Sequence, residues 1–138
     1  MPRSSLEPVS EAVYGLLNVS AMQALATGGI YEDVPQDTSY PFVWYTVREN
    51  DVDGTFAQVF FDCRVTVHAF SQYEGNQENQ TIINKAVDLL RNQTPSVTNF
   101  TALQLIHNSS TGLPDEDING IKTKHMMCEF QLTVSEDA

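Results

Sequence analysis

Two stretches of this chain alternate between apolar and polar residues for fourteen or fifteen positions, and no other feature restricts the fold as strongly. In 56–70, Val59, Phe61, Cys63, Val65, Val67 and Ala69 fall on one side, and Phe60, Asp62, Arg64, Thr66, His68 and Phe70 on the other. In 121–134, Met126, Cys128, Phe130, Leu132 and Val134 point one way, and Thr123, His125, Glu129, Gln131 and Thr133 the other. A period of two predicts strands of an antiparallel sheet with one face on a core. At ~3.3 Å per residue each strand spans roughly 45–50 Å. A chain of 138 residues has a radius of gyration of only roughly 14 Å. The strands therefore bend at bulges or project from the body, and a projecting hairpin leaves edges that demand a partner.

The rest of the pattern supplies helices and turns. Val9, Val13, Leu16 and Leu17 follow a 3.6-residue period and predict a helix over 8–18, with Pro8 suited to its first turn. Asn18-Val19-Ser20 interrupts it, and Ser20 can cap a short second turn carrying Met22 and Leu25. Gly28-Gly29 ends that turn, because glycine enters the left-handed region freely. Extended structure begins at Ile30-Tyr31, a turn lies between Pro35 and Pro41, and the aromatic, β-branched run 42–47 is a strand. Glu49 to Gly54 reads as a polar turn. A second helix covers 75–92, with Ile82, Ile83, Ala86, Val87, Leu89 and Leu90 as its stripe and Pro95 beyond its end. Residues 102–108 predict a third strand with Leu103 and Leu105 alternating, and a loop runs through Gly112, Pro114 and Asn119-Gly120. The order is that of an α+β fold: one domain over 1–138, an antiparallel sheet of about four strands, and two main helices on one face.

Charge narrows the function. Seven Lys and Arg stand against eighteen Asp and Glu, a net −11. Such a balance argues against phosphate-directed nucleic-acid binding and against anionic membranes. The acids cluster as Glu32, Asp33 and Asp37; Glu49, Asp51 and Asp53; Asp115, Glu116 and Asp117; and Glu136 and Asp137. They read as solvated loops, or as a surface that repels DNA or meets a basic partner. No apolar run reaches the ~20 residues of a membrane span. The first residues lack a signal-peptide core, so the chain is expected in the cytoplasm, where Cys63 and Cys128 act as small buried hydrophobes.

Known chemistries fit poorly. Asp115-x-Asp117-x-Asn119-Gly120 matches half of a calcium loop, but the twelfth position is Met126, so an Asn-Gly hairpin turn is expected. Glu49-x-Asp51-x-Asp53-Gly54 is a weaker echo ending at Phe60. Cys63 and His68 fall on opposite strand faces, as do His125 and Cys128, which argues against a metal site. His68 is expected to be exposed, and Arg64, Lys122 and Lys124 to pair with acids on one sheet surface. No nucleophile motif or phosphate-cradling glycine loop is present, so no catalytic residue, metal or cofactor is assigned.

Gly28-Gly29-Ile30-Tyr31-Glu32-Asp33-Val34-Pro35, followed by Tyr40-Pro41-Phe42-Val43, resembles the tail completion, or tail terminator, family of phages with long non-contractile tails. The strand ending at Val67-His68-Ala69-Phe70-Ser71, the helix from Asn79 to Asn92 and the closing strand 121–134 continue the resemblance in order. It implies a non-catalytic α+β subunit without cofactor, assembled in the host cytoplasm and resident in the virion. It also implies a hexameric ring that caps the head-proximal end of the tail tube and joins the neck. The partners would be further copies of the chain, the tail tube protein and a neck or head-completion protein, with DNA passing through the lumen without specific binding. Glu49, Asp51, Asp53, Asp115, Glu116 and Asp117 then become candidates for a lumen-facing or partner-facing loop. The alternatives are a neck or head-closure connector, a tail tube protein, or, from another class, a cytoplasmic small-molecule-binding domain; an enzyme ranks behind these.

Overall fold

A computed structural model of the chain describes residues 4–54 and 59–137; for residues 50–54 and Val59 it describes the backbone alone. The elements in order are α1 (Leu6–Leu17), α2 (Ser20–Leu25), β1 (Ile30–Tyr31), β2 (Phe42–Gly54), β3 (Val59–Ser71), α3 (Gln77–Leu90), β4 (Phe100–Ala102), β5 (Ile106–Ile118) and β6 (Ile121–Glu136). The α+β class holds. The sheet has six strands rather than about four, in the order β1-β2-β3-β6-β4, with β5 also on β6. It is antiparallel except for the two-residue parallel pairing of β1 with β2.

Both long alternating runs are strands with the expected faces, although residues 56–58 of the first lie outside the described ones. Phe61, Cys63, Val65, Val67 and Ala69 of β3 and Cys128, Phe130, Leu132 and Val134 of β6 are buried, as are Val43 and Tyr45 of β2. The helices cover this face. Val9, Val13 and Leu17 of α1 and Ile82, Ile83, Ala86 and Leu90 of α3 pack into the same cluster. Burial pushes the Cys128 thiol up to about 12 and also raises Cys63, so both behave as the small core hydrophobes expected. Among the described residues no helix is long and apolar enough to cross a membrane.

Two stretches read as turn or loop are strand, and one expected strand is broken. Glu49 to Gly54 continues β2 instead of turning: the ladder resumes at Val52↔Phe61, Asp53↔Phe60 and Gly54↔Val59 after a shift between Glu49 and Val52. Asn50 and Asp51 therefore oppose the single Asp62, a bulge that absorbs one poor strand former without ending the strand. The loop expected through Gly112 and Pro114 is β5, paired to β6 almost throughout. Its second register shift, between Leu113 and Glu116, contains Pro114, which a regular ladder would exclude. The expected strand 102–108 breaks at 103–105, because Leu105 turns inward, donates its N–H to Gln93 O at 2.8 Å and is fully buried. Leu103, expected on the same side, is 62% exposed.

The glycine pair after α2 works in two ways. Gly29 has φ of 115°, as expected of a left-handed stop. Gly28 is needed for space: a Cβ there would lie 1.8 Å from Ser39 O. Its N–H donates to Pro41 O at 2.7 Å, and Val43 N–H donates to Gly29 O at 2.9 Å, which fastens the helix end to the start of β2.

Asn79 faces the core from α3, fully buried, and its side-chain amide has no hydrogen-bond partner among the described residues. An unpaired buried amide costs about 1–3 kcal/mol. Asn79→Leu keeps the branching and removes the polar atoms. It is expected to stabilise by about 1–3 kcal/mol, read as a higher urea midpoint with unchanged slope.

Candidate functional site

The sheet face away from the helices carries the least expected arrangement. Register sets Phe42 opposite Phe70 and Phe70 opposite His125, and Trp44 opposite His68. The rings stack: Trp44 on His68 with centroids 4.4 Å apart, Phe42 on Phe70 at 5.0 Å, and Phe70 on His125 at 4.1 Å. Tyr40 extends the row at 5.1 Å from Phe42. His68 Nδ1 and His125 Nε2 are 2.8 Å apart, so one ring donates and the other accepts. Burial in this stack, with His125 adding to it, lowers the His68 pKa to about 4. Burial also lowers His125, with Glu116 acting in the opposite sense. His68 is therefore half-buried, not exposed as expected. Strand parity already put His68 and His125 on the sides of their strands away from the core; only the inter-strand register, which the sequence does not contain, brings them into contact with each other and with Trp44.

The same face carries the ion pairs anticipated for Arg64, with Asp62 and Glu129 each at 3.7 Å. Lys124 and Lys122 hold the Asp115 carboxylate, at 2.8 and 3.4 Å, but from even positions of β6, so not on the surface shared with Arg64 that was expected. The Lys124 hydrogen bond, reinforced by Lys122, keeps Asp115 below the usual carboxylate range. Asp115, Glu116 and Asp117 lie on β5, shortly before the turn at Asn119 and Gly120. That turn has φ of 55° and 79°, the left-handed pair of a type I′ hairpin, as expected for Asn-Gly. Among the described residues no group of three or more His, Cys, Asp or Glu could hold a metal ion.

The other acidic candidates separate from these. Glu49 is not at a hairpin tip. Its Oε2 accepts from Ser5 N and Ser5 Oγ at 2.7 Å each and from Ser4 Oγ at 3.1 Å. A carboxylate there offers an acceptor to orphan donors at the start of α1 and favours the positive end of its dipole. Ser5 Oγ also lies 3.2 Å from Cys63 Sγ, which ties the helix start to β3. The side chains of Asp51 and Asp53 lie outside the described residues.

The β5–β6 hairpin is the element most open to a partner. Ile106–Ile118 is exposed along nearly all its length. Beside its tip Ile121 is 48% exposed, an apolar residue where a free monomer gains nothing from one.

A family model described as "Tail completion protein gp17" matches residues 11–135. Among solved structures, a chain from the virion of a native gene transfer agent particle is similar, with a TM-score of 0.78 over 97% of this chain and 99% of that one, at 12% identity. A second solved chain matches with a TM-score of 0.56 over 93% and 94%, at 11% identity. No curated protein matches the sequence.

Two measurements check the site. Glu49→Ala leaves the Ser5 N–H and hydroxyl without their acceptor, so it is expected to cost about 1–3 kcal/mol in chemical unfolding. Asp115→Asn, at an exposed ion pair, is expected to leave the midpoint unchanged. For the histidines, the folded chain holds His68 neutral down to about pH 4, whereas an unfolded histidine takes up a proton near pH 6.5. Above pH 6.5 the ring is neutral in both states and its titration adds no pH dependence, and stability falls as pH drops from about 6.5 towards 4. His68→Phe keeps a ring on Trp44, and its Tm is expected to fall less than that of the parent across that window.

Proposed function

The chain belongs to the tail completion protein gp17 family, a structural component of phage-type tails, and from this we propose that it acts as a tail terminator. In this reading six copies close into a ring on the head-proximal end of the tail tube, and the ring then binds the neck. DNA passes through its lumen without being read. The role uses no catalytic step and no cofactor; it uses surfaces. The protein is then a virion component, and its partners are other copies of itself, the tail tube protein and a neck protein.

The observation that carries the reading is the exposed thirteen-residue β5 at the border of a sheet in a chain whose family completes tails. An edge strand of that length presents a row of unpaired backbone groups, which an isolated monomer would normally blunt. Net charge supports the lumen: at −11 per copy a ring repels phosphate and lets DNA slide. Glu116 and Asp117, unlike Glu49, remain candidates to face that lumen or a partner. Asp115 contributes less there, because two lysines already offset it.

Native mass measurement and electron microscopy of the protein mixed with its own tail tube test the assignment. The expected species weighs six times the 15.4 kDa of one chain and sits as a single ring at one end of each tube. A monomer that never binds tubes would overturn the reading. Copies repeating along the tube would replace it with that of a tube subunit.

A further inference from the structure

The two borders of the sheet differ in a way that suits each other. At the β2 border, β1 pairs only with Val43 and Trp44, and beyond them β2 has no outer strand partner among the described residues. Beside this open edge α1 leaves a groove of about 680 Å³ between Leu6, Tyr14 and Tyr45, with Glu7, Glu11 and Glu32 around it. Leu6 and Tyr14 are 41% and 39% exposed, large for apolar groups on a small acidic protein. At the opposite border Leu103 and Ile106 stand 62% and 56% exposed where β4 passes into β5. Asn92 N donates to Leu105 O at 2.9 Å, so the end of α3, and with it exposed Arg91, lies beside that corner. Arg91, like Arg48 and Lys85, has no carboxylate partner among the described residues, whereas Arg64, Lys122 and Lys124 are already paired, and of the three only Arg91 is placed at this corner.

We infer that a second copy of this chain fills the groove: the Leu103–Ile106 corner of one copy enters the α1–β2 groove of the next, and Arg91 meets its carboxylates. The inference rests on the ring reading and specifies its contact. An apolar groove ringed by three acids fits an apolar corner flanked by a free arginine, and a chain with only seven Lys and Arg has few other cations to offer. Groove against groove would bring two sets of carboxylates together, so the contact is head to tail. A head-to-tail contact whose rotation closes gives a ring. The open β2 edge and the free edge of β5 then meet at the same contact, where main-chain pairing can extend one sheet into the next.

Charge reversal tests it. Glu11→Lys with Glu32→Lys, and separately Arg91→Glu, are each expected to weaken assembly by at least about tenfold in light scattering across a dilution series. All three positions are exposed, and Glu7 is kept because a negative charge favours the first turn of α1. Circular dichroism should show each variant folded. Combining the three changes, which restores opposite charges across the contact, is expected to recover assembly. If both reversed forms assemble like the parent, the contact lies elsewhere and this inference fails while the ring stands. If the combined variant assembles no better than the single reversals, it also fails. If the groove variant forms rings but no longer binds tubes, the groove holds a tube segment and the inference is overturned. If the parent itself never assembles, with or without tubes, the ring reading fails first.

Discussion

The structure depends on the pairing of β6 on both of its sides. Twelve residues of β6 bond to β3, the earlier part of the strand bonds to β5, and its last three partners bond to β4. Its even positions from Cys128 to Val134 are fully buried, and its odd positions face the stacked rings and ion pairs. A slip of one residue would exchange the two faces and put Glu129 and Gln131 into the core. The cost of that exchange fixes the register. The register in turn sets which side chains meet: Phe70 with His125, Arg64 with Glu129, and Lys124 with Asp115.

The helices act only on one side of this frame. α3 lies across β3 and β6, and α1 closes over β2 and α3, so the core is a single layer between helices and sheet. The other side has no helical cover among the described residues and relies on its own side chains. Aromatic rings and neutral histidines suit it, because flat rings stacked along neighbouring strands shield one another from water without a second layer.

How much of this was legible follows from what holds each piece. β3, β6, α1 and α3 are held by burial of periodic side chains, and their apolar positions announce them. The Asn119-Gly120 turn is held by a backbone conformation that few residues adopt, and its dipeptide announces it equally well. β5 is held by main-chain hydrogen bonds to β6 while its side chains stand in water, so Ser109, Thr111, Gly112 and Pro114 give it the composition of a loop. The same holds for the far half of β2, where a bulge lets the ladder run through Asn50 and Asp51. The Glu49 contact and the His68–His125 pair join residues more than forty positions apart, which local spacing cannot report. Family resemblance, carried by short ordered motifs near Gly28 and Pro41, reached the assignment that physical patterning alone left open.

The way β5 is held has an evolutionary consequence. A strand fixed through its backbone keeps its path whatever side chains it bears, provided a proline sits only where the ladder is already broken. Substitutions there are nearly free of folding cost, yet each one redraws the surface shown to a neighbouring molecule. A tail protein built in this way can follow changes in its partners by altering an exposed hairpin while its core stays the same. Shape and sequence are then only loosely coupled, and the gene transfer agent chain has this fold at 12% identity.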